Sequence, residues 1–339
     1  MKNVIFINLT DSSFVRLDEE ILKKHYRVTS FKFRYKKGIK ILIDLIRQFL
    51  FMTVHIWKAD LIYIWFADFH AVIPTLFGKL FARKVVIVIG GYDAVYDKAL
   101  NYGAKTRFVG KYSVKIVTAL ADQLLPVSNH TLNELLKNHN PNLEKKSMVI
   151  YNAFNPMFRC NDQIRRENTV ATICLTNTKK TLFIKGVDFY VEVAKQMPWV
   201  TFQVIGPGGE AKEYLESISS ENVVLIERVP PEELREILCR TKVICQFSRH
   251  EAFGVALLEG ISCGCNPVGY GHAGTKEILS GEFGISIPVL EVNQGKQAIE
   301  TALGLFDNNQ QEKFKLLMEK FSQEKREKRI ISFLEEIHL

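Results

Sequence analysis

The sequence has no uninterrupted apolar run of the ~20 residues that a membrane-spanning helix needs. Its six cysteines include no Cys-x-x-Cys pair. We therefore expect buried thiols in a reducing compartment, with metal binding by the Cys263/Cys265 pair as the alternative. The first segment, MKNVIFINLT, is followed at once by Asp11, and we expect no signal peptide there. These absences favour a globular protein over a membrane-spanning or disulfide-rich one.

Size and composition indicate two domains. With 339 residues, of which 47% are hydrophobic and 24% charged, the chain is too long for one ordinary core and suits two domains of roughly 150 residues each. Its charge is unevenly divided, because residues 1–150 carry 23 Lys/Arg and 12 Asp/Glu whereas the rest carries 22 and 25. The basic character therefore belongs to the N-terminal half.

Much of this positive charge lies in residues 31–58, FKFRYKKGIKILIDLIRQFLFMTVHIWK. Seven basic residues and one acid are interleaved there with large apolar ones. This pattern is typical of a helix that lies in an anionic membrane interface. A core helix with a basic solvated edge is the alternative. Nucleic acid is a weaker candidate partner, because no nucleic-acid-binding motif accompanies the charge.

Short apolar runs alternate with amphipathic segments along the whole chain. They predict buried parallel strands at 3–8, 59–65, 84–90, 122–128 and 146–152. After a polar connection at 155–168, further strands are predicted at 169–175, 200–206, 222–227, 242–248 and 266–270. Because helical patterns separate the runs, we predict two doubly wound α/β domains. Ligands of such domains bind beyond the carboxyl ends of the strands.

The segment SRHEAFGVALLEGISCG, residues 248–264, fits such a ligand site. A helix is predicted to begin near Gly254, so that the backbone N–H groups of Phe253, Gly254 and Val255 can hold an anion. Glu259 then stands roughly 7 Å further along the helix, about the span from a diphosphate to a ribose. Glu251 lies on the other side of the anion. The alternative is that Glu251 caps the helix and Glu259 is simply solvated.

This segment resembles the E-x7-E signature of glycosyltransferase family 4, whose members are nucleotide-sugar-dependent enzymes with the GT-B fold. The matching positions are Ser248, Glu251, Phe253, Gly254, Glu259, Gly264, Pro267 and Val268. Further segments similar to the family follow in the right order over most of the chain: ADQLLPVSNHTLNELL, VIYNAFN, FIKGVDFYVEVAKQMPWVTFQVIGPGGE, NVVLIERVPPEELREIL and the C-terminal FSQEKREKRIISFLEEI.

The resemblance implies a GT-B architecture with two Rossmann-like domains that face a central cleft. An acceptor-side domain would occupy residues 1–160 and a nucleotide-sugar-binding domain residues 161–320. A C-terminal helix at 321–339 would return to the first domain.

The resemblance also implies roles for individual residues in donor binding. Lys185 would bind the donor diphosphate, and Glu259 would take the ribose hydroxyls. Glu251 would touch the transferred sugar and help to align it. Lys180 stands where the family usually has an arginine, and it keeps the charge but loses the bidentate fork.

Three more positions are relevant to the donor. Gly206 and Arg228 are further candidate donor-binding residues. Glu227 stands where a glycine is usual, so base recognition is left open. The sequence GPGG at 206–209 is not the Gly-x-Gly-x-x-Gly fingerprint, and a nicotinamide cofactor therefore gains little support.

The first domain departs more from the family. Where many relatives have a glycine-rich loop, this chain has NLTDSS at 8–13, whose polar residues Thr10, Asp11 and Ser12 are acceptor-side candidates. Asp93 is the candidate for contacting the sugar or acceptor at the mouth between the domains, with a capping or turn role as the alternative. We interpret His70 and His250 as ordinary histidines.

Taken with these residues, the resemblance implies a retaining glycosyltransferase of the hexosyltransferase type. It would move a sugar from a nucleotide-sugar to a glycan or lipid-linked acceptor in bacterial surface polysaccharide or glycoconjugate synthesis. No DxD-type metal motif occurs, so we expect neither a metal nor another cofactor. We expect a cytoplasmic protein, peripheral on the inner face of the plasma membrane if residues 31–58 bind it.

Two alternatives remain. One is a GT-B-like sugar epimerase or an inverting transferase, and the other is a catalytically silent protein that binds a nucleotide-sugar or a membrane.

Overall fold

The computed structural model describes residues 1–34, 38–160, 166–279, 283–305 and 310–337. Residues 35–37 of the basic stretch and 161–165 of the predicted polar connection lie outside the described residues. The chain divides into unit 1, made of Met1–Asn152 with Gln323–Leu339, and unit 2, made of Ala153–Ser322. Each unit has a hydrophobic core of its own.

Unit 1 contains a five-stranded sheet of order β2-β1-β3-β4-β5, and every pairing in it is parallel. The central strands are buried on both faces, as their continuous apolar sequences predict. The elements in chain order are β1 (Asn3–Asn8), α1 (Ser13–His25), β2 (Arg27–Lys32), α2 (Ile39–His55), β3 (Leu61–Trp65), α3 (Val72–Leu80), β4 (Lys84–Ile89), α4 (Phe108–Leu120), β5 (Gln123–Pro126) and α5 (Asn129–Asn138).

Unit 2 contains a six-stranded, all-parallel sheet of order β11-β10-β9-β6-β7-β8. Its elements are β6 (Glu167–Thr176), α6 (Lys179–Lys185), α7 (Val187–Lys195), β7 (Thr201–Pro207), α8 (Gly209–Ile218), β8 (Val223–Ile226), α9 (Pro231–Arg240), β9 (Thr241–Gln246), α10 (Val255–Ser262), β10 (Asn266–Tyr270), α11 (Thr275–Leu279), β11 (Ile285–Ile287), α12 (Val292–Gly304) and α13 (Gln310–Phe321). The predicted fold class, α/β with two doubly wound parallel sheets, describes both units.

The strand orders locate a switch point in each sheet. In unit 1 the chain turns from one side of the sheet to the other between β1 and β3, and in unit 2 between β6 and β9. The loops that follow the two strands of a switch point run in opposite directions and leave a crevice at their carboxyl ends. The crevice of unit 2 is therefore bordered by the segments after β6 and β9.

The last helix, α14 (Gln323–Glu336), packs in unit 1 against α1. Arg326 on α14 holds Asp18 on α1 through two hydrogen bonds of 2.6 and 2.8 Å, and both side chains are buried. The same guanidinium donates to the carbonyls of Ile150 and Tyr151. Arg326 therefore connects α14 to α1, near the start of the Met1–Asn152 segment, and to residues 150 and 151, near its end.

One predicted strand is absent from the described residues, and two observed strands were not predicted. Residues 146–152 make only an isolated parallel bridge, at Ser147, and otherwise run as extended chain beside β5. β2 was not predicted because its sequence, RVTSFK, is mostly polar and exposed at the sheet edge. β11 was not predicted because it has only three residues. Edge strands carry a weak apolar pattern, since one face and one side are solvated.

The basic stretch 31–58 is not a single helix. Residues 31–32 end strand β2, and the helix α2 begins at Ile39. Its exposed face carries large apolar side chains in addition to the bases Lys40 and Arg47; Leu50, for example, is 57% exposed. Within the described ranges, no helix is long and apolar enough to cross a membrane.

The cysteine prediction needs a correction. Cys160 and Cys239 are joined by a disulfide, whereas Cys174, Cys245, Cys263 and Cys265 are free and buried. The bonded residues are 79 positions apart, and sequence spacing does not reveal such a pairing. The bond also assigns the chain near residue 160 to unit 2, whereas the predicted domain boundary placed residues 153–160 in the first domain.

Candidate functional site

The two motifs with predicted donor-binding residues follow the two strands of the unit 2 switch point. The lysine segment after β6 forms α6, and the acidic segment after β9 leads into α10. In a doubly wound sheet, this is the place where a nucleotide meets helix N-termini and loop side chains. The candidate site is thus built from two loops that are far apart in sequence and adjacent in the sheet.

Gly186 fixes where α6 ends. It has a left-handed conformation, with φ 67° and ψ 24°, which favours glycine. A Cβ on Gly186 would also collide with the carbonyl oxygen of Phe247. The close approach of these two backbones holds the end of α6, and with it Lys185, beside the loop that follows β9.

Lys185 and Glu251 form an ion pair at this junction. Lys185 Nζ donates to Glu251 Oε2 at 2.6 Å, and Gln246 Nε2 donates to the same oxygen at 2.6 Å. The side chains of Lys185 and Glu251 are 35% and 13% exposed, respectively. The structure thus brings together a cation suited to a phosphate and a carboxylate suited to sugar hydroxyls.

A second pair, which the sequence patterns did not single out, supports the same loop. Arg249 binds Asp188 of α7 through two hydrogen bonds of 2.8 Å, and its backbone N–H donates to the carbonyl of Ile184 at 2.8 Å. Such a bidentate pair is geometrically specific. It ties the loop after β9 to the α6–α7 junction, 61 residues away in sequence; no local pattern signals a contact at that separation.

The helix α10 begins as predicted, with Gly254 as its first flanking residue at φ 109° and ψ 46°. Within the described part of the chain, no side chain caps this helix, so its first N–H groups lack a side-chain capping oxygen. Two neighbouring polar atoms, Gln246 Oε1 and Ser248 Oγ, are buried and have no hydrogen-bond partner among the described residues. Buried polar atoms of this kind form their hydrogen bonds with a ligand or an ordered water.

The side chain of Phe253 has a structural role. It is 1% exposed and packs edge-on against Phe321, with 5.3 Å between the ring centroids. A contribution of Phe253 to an anion site is therefore limited to its backbone. The prediction for Phe253 concerned this N–H group, which the packing of the ring holds in place.

Glu259 lies on α10, beyond its first turn. Burial raises the pKa of Glu259 to about 7. The side chain is half-buried, and this withdrawal from water is the cause of the raised pKa. A carboxyl withdrawn from water is costly to ionise. It suits a ligand that brings its own hydroxyl donors.

The other donor-side candidates surround the crevice less closely. Gly206 lies inside β7 at φ 98°, where a Cβ would collide with Leu175. Arg228 is exposed just after β8, and the neighbouring Glu227 pairs with Lys212 at 2.7 Å. Lys180 is exposed in the first turn of α6, about 7 Å along the helix axis from Lys185.

Asp93 in unit 1 has the turn role that was the alternative to catalysis. Its carboxylate is 1% exposed and accepts hydrogen bonds from the backbones of Ala67, Gly90 and Gly91 at 2.9, 3.3 and 2.8 Å. Burial raises the pKa of Asp93 to about 6. These contacts join the loops after β3 and β4, and they leave the carboxylate no open face for a substrate.

The remaining unit 1 candidates lie near its switch point. Thr10 and Ser12 share a hydrogen bond of 2.9 Å, and Asp11 pairs with Lys32 at the end of β2. His70 is fully buried with Nε2 at 2.9 Å from the carbonyl of Trp65, and burial lowers the pKa of His70 to about 4. This is the ordinary structural histidine that we predicted.

The sequence of unit 2 matches a known family. The family model described as "Glycosyl transferases group 1" matches residues 172–305. An uncharacterised glycosyltransferase of Methanocaldococcus jannaschii is 25% identical over 261 residues, which are 73% of this chain and 68% of that protein. A phosphatidylinositol N-acetylglucosaminyltransferase subunit from Arabidopsis thaliana is 26% identical over 228 residues. That match covers 63% of this chain and about half, 49%, of the relative.

Solved structures show the same fold over nearly the whole chain. HepE of Anabaena, in complex with UDP and glucose, has a TM-score of 0.74 at 14% identity and covers 99% of this chain and 100% of its own. The sucrose-phosphate synthase of Thermosynechococcus elongatus has a TM-score of 0.75 at 13% identity, with 99% of each chain covered. The predicted GT-B fold is confirmed. The predicted enzyme class, a glycosyltransferase of the hexosyltransferase type, is confirmed as well.

Proposed function

We propose that this protein, whose residues 172–305 match the glycosyl transferases group 1 model, is a retaining transferase of family 4. It moves a sugar from a nucleotide-sugar to a glycan or lipid-linked acceptor of a bacterial surface polysaccharide or glycoconjugate. The observation that supports this function best is the Lys185–Glu251 pair of 2.6 Å beside the start of α10. A phosphate-binding cation and a sugar-binding carboxylate are there in direct contact.

In the proposed donor complex, the diphosphate lies between Lys185 and the first N–H groups of α10, which include those of Gly254 and Val255. Both the cation and the helix N-terminus stabilise the negative charge that develops on the leaving diphosphate. These groups supply charge where other transferases use a metal ion. That the reaction needs no metal or other cofactor stays a prediction.

Glu251 and Glu259 then have different roles, because they lie on different sides of the diphosphate. Glu259 accepts hydrogen bonds from the ribose hydroxyls, which matches a carboxyl that is largely withdrawn from water. Glu251 contacts the hydroxyls of the transferred sugar and aligns its anomeric carbon. Lys180, Gly206 and Arg228 border the donor in this proposal.

The nature of the partners is also part of the proposal. HepE was crystallised with UDP, and this supports a UDP-sugar as the first donor to test. Several relatives are named as phosphatidylinositol N-acetylglucosaminyltransferases, a name that includes a phospholipid and supports a lipid-linked acceptor. We accordingly place the protein at the inner face of the plasma membrane, with the 31–58 region in the contact.

A donor screen tests this function. We expect one of the UDP-, GDP-, ADP- and TDP-sugars to raise the melting temperature, because a ligand that binds only the folded protein stabilises it. NMR of the product formed from that donor should show an unchanged anomeric configuration. An inverted product would contradict the retaining mechanism. A flat thermal response to the whole panel would favour a catalytically silent protein instead.

Donor affinity should depend on pH through Glu259. Because the pKa of Glu259 in the free protein is about 7, its carboxylate is largely formed at pH 8 and largely protonated at pH 6. Ribose binding needs the carboxylate, so affinity should fall about tenfold from pH 8 to pH 6. Calorimetry with a nucleotide-sugar, whose diphosphate does not titrate in this range, measures the effect. In Glu259→Gln the profile should be flat, and a flat profile in the parent protein would contradict the role.

A further inference from the structure

Unit 1 presents a continuous apolar surface on three neighbouring helices, α2, α3 and α4. The helix α3 packs against both of the others. Ring contacts join it to the chain of α2 and the turn after it: the centroids of Phe49 and Phe77 are 5.4 Å apart, and those of Trp57 and Phe81 are 4.7 Å apart. A contiguous exposed apolar surface marks an interaction site on a protein. We call it the α2–α3–α4 surface.

The outer face of α2 is apolar along its whole length. Leu42, Ile46, Leu50 and Val54 recur every four residues and are 51%, 52%, 57% and 66% exposed. The opposite face of the helix packs inward through Asp44, Gln48 and Met52, which are at most 2% exposed. At about 100° per residue, the exposed apolar side chains cover an arc of about 140°. The helix α2 thus has an apolar face exposed to solvent in addition to the face that packs inward.

The other two helices extend this surface. Leu80 at the end of α3 is 77% exposed, and Phe108 at the start of α4 is 79% exposed. On α4, Val109 and Tyr112 continue the exposed face at 60% and 46%. Side chains of this size cost free energy when they stay in water. Their grouping on three adjacent helices calls for a partner that covers all three.

The charges on these helices have a single sign at the surface. Asp44 is the only acid in α2, α3 and α4, and it is buried, accepting hydrogen bonds from Arg47 Nη1 at 2.6 Å and from the backbone of Arg34 at 3.1 Å. The bases Lys40, Lys111 and Lys115 are exposed beside the apolar stripes. Asp122, just after α4, is 25% exposed and is paired with Lys79 of α3 at 2.6 Å. The three helices therefore combine exposed apolar side chains with basic ones, and their own acid is buried.

We infer that the α2–α3–α4 surface docks the protein on a bilayer that contains anionic lipids. The apolar side chains enter the headgroup region, while the lysines meet the negative surface potential. Tyr112 and Trp57, each with an apolar ring and a polar edge, suit this interface. A protein partner would need acidic side chains around an apolar centre. A bilayer with anionic lipids offers negative charge and an apolar interior over an area that covers all three helices.

This inference deepens the membrane part of the proposed function and names a wider contact than residues 31–58. Phe108, Tyr112 and the α4 lysines lie far from that stretch in sequence and were not predicted. The surface lies in unit 1, whereas the donor residues lie in unit 2. Vesicle binding and donor binding can therefore fail independently of each other.

Co-sedimentation with lipid vesicles tests the inference. We expect the full chain to bind vesicles of phosphatidylcholine with phosphatidylglycerol much more tightly than vesicles of phosphatidylcholine alone. The double variant Ile46→Glu/Phe108→Glu should bind the anionic vesicles at least about tenfold more weakly, since it removes apolar contact and adds negative charge. Lys111→Gln/Lys115→Gln should bind anionic vesicles about 25-fold more weakly, at roughly fivefold per lysine.

Val289→Glu is the matched control, because Val289 is an apolar residue of unit 2 with a similar exposure of 50%. It should bind vesicles like the parent protein, and all variants should keep the thermal response to the donor. Equal binding to neutral and anionic vesicles, or unchanged binding of both double variants, would overturn the inference. So would a dimer in solution that Ile46→Glu/Phe108→Glu dissociates, because the surface would then belong to a second copy of the chain.

Discussion

Replacing Glu251 with alanine is expected to lower the transfer rate by about a thousandfold, which corresponds to about 4 kcal/mol of transition-state stabilisation. Nucleotide binding should remain at least as tight as in the parent protein. The two effects separate because Glu251 acts on the sugar, whereas the nucleotide is held by Lys185, Glu259 and the start of α10.

The ion pair explains why nucleotide binding should not weaken. In the free protein, Lys185 Nζ is held by Glu251 Oε2 at 2.6 Å, so a diphosphate has to compete with this carboxylate for the ammonium group. Alanine at position 251 removes this competitor for the ammonium group. A carboxylate that aligns the reacting sugar, by contrast, contributes mainly in the transition state, and its loss lowers kcat.

The measurement is kcat with the donor found in the screen, together with Kd for the nucleotide by calorimetry. Glu192→Ala is a matched control, because Glu192 also pairs with a lysine, Lys195, at 2.6 Å on the neighbouring helix α7. It should leave both constants unchanged. Unchanged turnover in Glu251→Ala would overturn the catalytic assignment. A parallel loss of affinity and rate would show that Glu251 only positions the nucleotide site.

Replacing Arg326 with alanine should destabilise unit 1 by about 3–5 kcal/mol, because it leaves a buried charge without its partner. Asp18 is fully buried and accepts from Arg326, from the Tyr63 hydroxyl at 2.9 Å and from the Trp65 indole N–H at 2.9 Å. The carbonyls of Ile150 and Tyr151 would lose a charged donor as well.

Urea unfolding followed by tryptophan fluorescence measures this effect, since Trp65 belongs to the same cluster. Arg329→Ala is the control, because Arg329 is exposed on the same helix and should change stability by less than about 0.5 kcal/mol. The double variant Asp18→Leu/Arg326→Met should recover much of the lost stability, because it removes both buried charges. A change below about 1 kcal/mol in Arg326→Ala would contradict this view of the pair.

The sequence patterns were most informative where the chain is buried on both faces. The runs VIFI, LIYIW and VVIVI predicted β1, β3 and β4 because strands inside a covered parallel sheet are continuously apolar. The edge strands β2 and β11 were not predicted, and the extended segment at 146–152 was wrongly predicted to be a strand. Whether such a segment forms a strand depends on which neighbouring strand it pairs with, and a local sequence pattern does not contain that information.

The candidate site shows a similar division. The start of α10 at Gly254 and the separation of Glu251 from Glu259 follow from local chemistry and from the resemblance. The contact of Lys185 with Glu251, the clamp between Arg249 and Asp188 and the raised pKa of Glu259 arise only from packing. Asp93 illustrates the difference most clearly, because a polar residue in a loop suggested chemistry, whereas the folded chain uses its carboxylate to hold two turns.

By itself, the sequence determined that the chain is an α/β protein with a basic N-terminal half, and it predicted an anion site at the start of α10. These properties follow from residue type and periodicity, which act locally. Only the tertiary structure decided that β6 and β9 lie side by side, that Lys185 meets Glu251, and that α2, α3 and α4 share one exposed apolar surface. Each of these features depends on strand order and on helix packing between residues far apart in sequence. A local segment of the sequence does not specify which distant residues it will contact.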